Sequence, residues 1–201
     1  MKIKIYSLAL SLLLIFAASV QTQAQIQTPA ASPAASVSQN VGFTKISIDY
    51  SSPAVKGRKI FGEIEKFGTP WRAGANAPTI IEFSTPVNIG GTNLRPGKYS
   101  IFMTPQETGE WTIHFNSKGN SIFAYMPGGN LDKEALAKDE AVSIKVNPVR
   151  TNDVQERLTY GISAGNNKVA QVHFGWEKIR ISFEVDTQAD QKMESFKSQM
   201  N

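Results

Sequence analysis

Cysteine is absent from the 201 residues. That excludes disulfides, thiol catalysis, thiolate metal sites and a lipid anchor carried on cysteine, so the fold is held by packing alone. A strong charge of either sign is missing too. The formal net charge of +4 includes Lys2 and Lys4 at the extreme N-terminus, and without them 19 basic residues face 17 acidic ones, a balance of +2. Such a surface gives no electrostatic footprint for nucleic acid or an anionic membrane, and the sequence pI of 9.2 carries no functional message. Histidine occurs only twice, which limits acid–base and metal chemistry to very few constellations. Long hydrophobic runs are absent as well. The longest, Ile5 to Val20, has about 16 residues against the roughly 20 that span a bilayer.

That run has the form of an export signal. Lys2 and Lys4 make a positive start, the apolar stretch follows, and Thr22-Gln23-Ala24 offers small residues where a signal peptidase reads them. Cleavage after Ala24 is expected, with Ser19 as a second position and an uncleaved anchor as the competing reading. The protein is therefore expected to be exported, periplasmic or secreted. Residues 25–35, rich in Gln, Thr, Ala, Ser and Pro, offer almost nothing to bury and read as a flexible linker.

What the chain does have is alternation. Hydrophobic residues make up 41% of it, enough for a real core, and 15 glycines with 10 prolines punctuate it into short segments. Ile46, Ile48 and Tyr50 alternate with polar neighbours. Thr79–Phe83 is a short β-prone run, and the same period recurs through Tyr99–Met103, Trp111–Phe115, Val142–Val146, Leu158–Ile162, Val172–Trp176 and Ile179–Val185. Gly90-Gly91 between Val87–Ile89 and Thr92–Leu94 marks a tight hairpin. About nine short strands, each with one wet face, predict an all-β fold, an antiparallel β-sandwich spanning residues 36–185. Leu131–Lys138 has helical spacing with Asn130 or Asp132 as a cap, and predicts one short surface helix. In the tail, 186–201, Ala189, Met193, Phe196 and Met200 share a face of a possible C-terminal amphipathic helix, which either docks or frays.

Catalytic motifs are few. Alternation puts His114 and His173 on the wet faces of their strands, where a shared metal lacks a third ligand. Gly161-Ile162-Ser163-Ala164-Gly165 matches a nucleophile elbow in letters only. No helix follows it, so a hairpin turn is the better reading. The pairs Glu63/Glu65 and Asp139/Glu140 read as solvated charge, with nothing to set two carboxylates across a cleft. No catalytic residue, metal ligand or cofactor is assigned.

The region from Ser51 to Thr79 stands apart. It lacks alternation, is long for a connection, and gathers Lys56, Arg58, Trp71, Arg72 and Asn76. Arginine pairs with carboxylate or phosphate in a fork, and tryptophan offers a stacking face. The competing reading makes the same residues structural, with Trp71 plugging the sandwich, the arginines tying loop carbonyls and Asn76 holding a turn.

Several ordered motifs carry a resemblance. Ser52-Pro53-Ala54-Val55-Lys56-Gly57-Arg58-Lys59-Ile60-Phe61-Gly62, Trp71-Arg72-Ala73-Gly74-Ala75-Asn76 with Thr79, Leu94-Arg95-Pro96-Gly97-Lys98-Tyr99-Ser100 and Trp176-Glu177-Lys178 together resemble domain-of-unknown-function family 2911, a group of exported bacterial proteins. The likeness runs from about Ser36 to Val185 and leaves out the tail after Asp186. It implies export and a β-rich domain, supplies no activity, and marks Lys56, Arg58, Trp71, Arg72 and Asn76 as pattern positions. The expectation is a non-enzymatic β module that binds a small molecule, a glycan or an envelope protein. It is not expected to bind nucleic acid or to keep a transmembrane segment once mature. An envelope-associated hydrolase and a structural assembly module are the alternatives.

Overall fold

The computed structural model describes residues 28–200, so the expected leader lies outside the described residues. Ten strands follow in order: β1 (Ala34–Val41), β2 (Thr44–Ser51), β3 (Ile80–Phe83), β4 (Val87–Ile89), β5 (Thr92–Leu94), β6 (Gly97–Thr104), β7 (Trp111–Asn116), β8 (Glu140–Val146), β9 (Val149–Ser163) and β10 (Val169–Asp186). They form two antiparallel sheets. One has six strands in the order β1-β2-β3-β6-β7-β8, and the other has four in the order β5-β4-β10-β9. The fold is the all-β sandwich that alternation predicts. Ile46, Ile81, Ile101, Ile113 and Trp111 from one sheet and Val172, Phe174, Ile181 and Phe183 from the other share a single buried core.

Local chemistry explains the corners. Gly90 and Gly91 both take positive φ, 58° and 85°, which a two-residue hairpin loop requires and other residues resist. Gly161, Ile162 and Ser163 end β9, paired with His173, Val172 and Gln171, and residues 164–168 turn the chain into β10, with Asn166 Oδ1 accepting from the Lys168 and Val169 amides at 3.0 and 2.9 Å. No elbow forms there. In β10 the expected two strands are one. A bulge near Glu177, which has φ of 50°, shifts the register against β9. Across this irregularity the inward parity of β10 reverses, so Val172, Phe174 and Trp176 are buried at even positions and Ile179, Ile181 and Phe183 at odd ones.

Two α-helices occur among the described residues, α1 (Lys133–Asp139) and α2 (Ala189–Met200). Asp132 caps α1, its Oδ1 accepting from the Ala135 amide at 2.9 Å. The tail helix α2 docks, though not by burying its apolar stripe, since Met193, Phe196 and Met200 stay exposed. Lys192 anchors it, donating to Thr85 Oγ1 (2.5 Å), Thr187 O (2.6 Å) and Pro86 O (2.8 Å), and Phe196 meets Phe43 edge-on at 5.4 Å. Burial pushes the Lys192 ammonium below its usual range, with Asp186 pulling it back. Among the described residues no helix is long and apolar enough to cross a membrane.

One departure from simple alternation shapes everything that follows. Phe102 points away from the sandwich core, yet it is fully buried. A short 3-10 turn, Ile122–Tyr125, and α1 lie over the outer face of the six-stranded sheet and close a second cluster of Phe102, Ile122, Tyr125 and Leu136. Polar ties hold this cover down. Tyr125 Oη donates to Asp139 Oδ2 at 2.9 Å and accepts from Asn116 Nδ2 at 2.9 Å. That face of the sheet is therefore partly dry.

Candidate functional site

The Ser51–Thr79 segment is sewn to both sheets. Its first half runs along β9, with the Val55 amide donating to Glu156 O, Ser52 Oγ to Leu158 O and Arg157 Nη1 to Ser52 O. Its second half runs along the end of β6. Trp71 and Met103 exchange both backbone hydrogen bonds at 2.8 Å, and the Gly68 amide donates to Pro105 O. This two-residue pairing acts as a strand, so adjacent side chains part to opposite sides. Trp71 goes in and Arg72 goes out.

Trp71 is 5% exposed and stacks on Trp176 at 5.7 Å, with Phe61 and Phe174 edge-on at 5.9 and 6.0 Å. Its indole N–H donates to Gly74 O at 3.0 Å. Just behind it Tyr160 Oη donates to Ala73 O, and burial holds the Tyr160 phenol well above its ordinary range, with Tyr50 adding to the rise.

Arg72 lies with its guanidinium carbon 5.1 Å from the centre of the Phe123 ring. Its Nε is buried and has no hydrogen-bond partner among the described residues. Beside it opens a cavity of about 270 Å³, lined by Ile64, Glu65, Trp71, Ile122, Phe123 and Met126 among others. Its lining is mostly apolar, and its size falls just below the roughly 300–1,000 Å³ of ligand pockets. Burial pushes the Glu65 carboxyl up to about 7, and the nearby Arg72 charge pulls the other way. The Glu63/Glu65 pair thus divides, with Glu63 exposed and Glu65 half-buried at the cavity.

The other three sequence candidates lie elsewhere. Lys56 and Arg58 border a separate depression with Ala31, Ser32 and Ala54. Arg58 ties its own loop, Nε donating to Val55 O at 3.0 Å and Nη2 to Ala54 O at 2.6 Å. Lys56 takes φ of 49°, and its amide donates to Glu156 Oε1 at 2.9 Å. Asn76, with φ of 55°, donates from Nδ2 to Ser32 O at 3.0 Å. The structure brings Trp71 and Arg72 to one cavity and leaves Lys56, Arg58 and Asn76 outside its lining.

Sequence reasoning misses two elements of this region. Phe123 is 60% exposed and sits in a stretch with no period at all; only an unexplained surface aromatic marks it. The second element surrounds His114. Its strand position does face away from the sandwich core, but the cover over that face leaves the side chain only 15% exposed. His114 Nδ1 meets Glu140 Oε2, and His114 Nε2 meets Thr104 Oγ1 at 2.9 Å. A second cavity of about 270 Å³ opens on these three, and Pro70 lines this cavity as well as the Arg72 cavity. His173 differs. It lies on the other sheet, exposed, with Ser163 Oγ 3.1 Å from its Nε2. The two histidines do not meet, and among the described residues no three His, Asp or Glu side chains gather as a metal site.

Comparison with known families decides the lineage. A family described as "Protein of unknown function (DUF2911)" matches residues 32–185, which takes in the whole sandwich from β1 almost to the end of β10. The chain belongs to the DUF2911 family. Among curated proteins and among solved structures, no match to the chain was found. The DUF2911 description carries no activity, and the match stops before α2.

Proposed function

We propose that this DUF2911 protein is an exported binding module whose β-sandwich presents the Arg72 cavity to a small amphipathic carboxylate. The buried, unpartnered Nε of Arg72 carries the reading. A buried polar N–H without a partner costs about 1–3 kcal/mol, and a ligand carboxylate removes that cost through a forked ion pair. The cavity chemistry supports a body that is apolar or aromatic. Trp71, Ile122, Phe123 and Met126 line it, and its size suits a group of about ten heavy atoms or fewer. Glu65 sets the condition for entry, because a neutral carboxyl leaves the Arg72 charge free for the ligand, whereas an ionised one competes for it.

Phenylacetate is a suitable probe, with phenylacetamide as its uncharged twin. Calorimetric titration at pH 6 is expected to show phenylacetate binding, at least tenfold weaker amide binding, and loss of the difference in Arg72→Met. Equal affinity for acid and amide in the wild-type protein refutes the reading.

Export rests on the charged start, the apolar run and Thr22-Gln23-Ala24. Mass spectrometry of the protein recovered from its producing cells is expected to find a mature chain starting at Gln25. An intact Met1 on the recovered protein refutes cleavage.

A further inference from the structure

Thr104, His114 and Glu140 come from three adjacent strands of the six-stranded sheet. Thr104 ends β6, His114 is central in β7 and Glu140 begins β8. In the register, Phe102 lies opposite His114 and Asn116 opposite Glu140, so Thr104 and Glu140 are each one diagonal step from the imidazole. Diagonal neighbours across strands are within reach of long side chains, and a sheet holds them rigidly. The order of contacts follows from chemistry. In the tautomer whose Nδ1 proton is given to the Glu140 carboxylate, Nε2 is the acceptor, and the Thr104 hydroxyl 2.9 Å away is placed to donate to it.

We propose that Thr104, His114 and Glu140 form a nucleophilic relay that hydrolyses short-chain acyl esters in the cavity they share. Attack forms a bond from Thr104 Oγ1 to the acyl carbon as the hydroxyl proton passes to His114 Nε2. Collapse breaks the bond from acyl carbon to ester oxygen, and the imidazolium returns the proton to the departing alcohol. Water then attacks the acyl-threonine by the same proton route, releasing the acid and restoring Thr104. Glu140 orients the imidazole and stabilises its charged form. The cavity suits a small acyl group, with Pro70, Leu131 and Leu136 as apolar walls and the Lys133 ammonium beside them to offset oxyanion charge. His173 with Ser163 has no carboxylate in the described contacts and is an internal control, since the relay is expected only where the carboxylate completes it.

The relay does not rest on the carboxylate-binding reading, and phenylacetate binding is expected to survive Thr104→Val, which tells the two failures apart. The test treats the full chain with a fluorophosphonate ester and maps the adduct by mass spectrometry, alongside hydrolysis of 4-nitrophenyl acetate. One phosphonyl group on Thr104 is expected. It should disappear in Thr104→Val and His114→Asn and remain in Thr104→Ser and Ser163→Ala, while hydrolysis falls at least 100-fold in Thr104→Val. An unlabelled wild-type protein, or label on Ser163 instead of Thr104, overturns the proposal whatever the variants do. So does unchanged hydrolysis in a Thr104→Val protein that melts like the wild type.

Discussion

Replacing Glu65 by glutamine isolates the consequence of burying one carboxyl beside the Arg72 cavity. In the folded chain the group titrates near 7 rather than 4.5 because burial disfavours its charge more than Arg72 favours it. The folded protein therefore holds a proton that the unfolded chain has already released. Stability from this group is complete below pH 4.5 and is lost as pH rises through 7. Such a displacement corresponds to about 3 kcal/mol at full burial, and partial exposure to water reduces it to roughly 1–2 kcal/mol. Glutamine stays neutral at every pH and keeps the shape. Glu65→Gln is thus expected to match the wild type at pH 4 and to exceed it by roughly 1–2 kcal/mol at pH 8, or roughly 2–8 °C in melting temperature. Urea denaturation of both proteins at half-unit steps from pH 4 to pH 8 reads the difference directly, because all other groups titrate alike in the two chains. Parallel curves with a constant offset would refute the reasoning.

Other substitutions separate architecture from recognition. Arg58→Ala removes two hydrogen bonds to loop carbonyls and is expected to lower stability by about 1–2 kcal/mol, with phenylacetate affinity unchanged in calorimetry. Trp71→Ala empties the stack on Trp176 and should cost about 3–5 kcal/mol by chemical denaturation. Lys192→Ala frees α2, since Thr85, Pro86 and Thr187 lose their shared donor; amides across Ala189–Met200 should then lose protection in hydrogen exchange while core strands keep theirs.

Much of the fold is legible in the residues because alternation is a local record of which face is wet. Ile46, Trp111, Val172 and Phe183 are all buried where their period puts them. Even the bulge in β10 leaves a trace, as the inward set changes parity between Trp176 and Ile179. The strand β1 leaves none. Ala34 to Val41 carries only two buried or half-buried valines in a run of small polar residues, and it forms because β2 offers an unpaired edge along its whole length.

The candidate site is legible only in part. The density of Arg, Trp and Asn between Ser51 and Thr79 marks the right segment, but five residues in sequence proximity divide among different roles. Trp71 and Arg72 separate in and out because their backbone pairs with Met103, a contact 32 positions away along the chain.

Composition and period alone determined the absence of disulfides, the two-layer β architecture, the capped helix α1 and the hairpin at Gly90-Gly91, since each follows from interactions between near neighbours. Only the tertiary structure decided that the outer face of the six-stranded sheet is covered. That cover makes Phe102 a buried residue and leaves His114, which faces away from the sandwich core, largely enclosed between Thr104 and Glu140. The physical reason is that burial and charge coupling depend on what packs from across the fold, and no local pattern records the far partner.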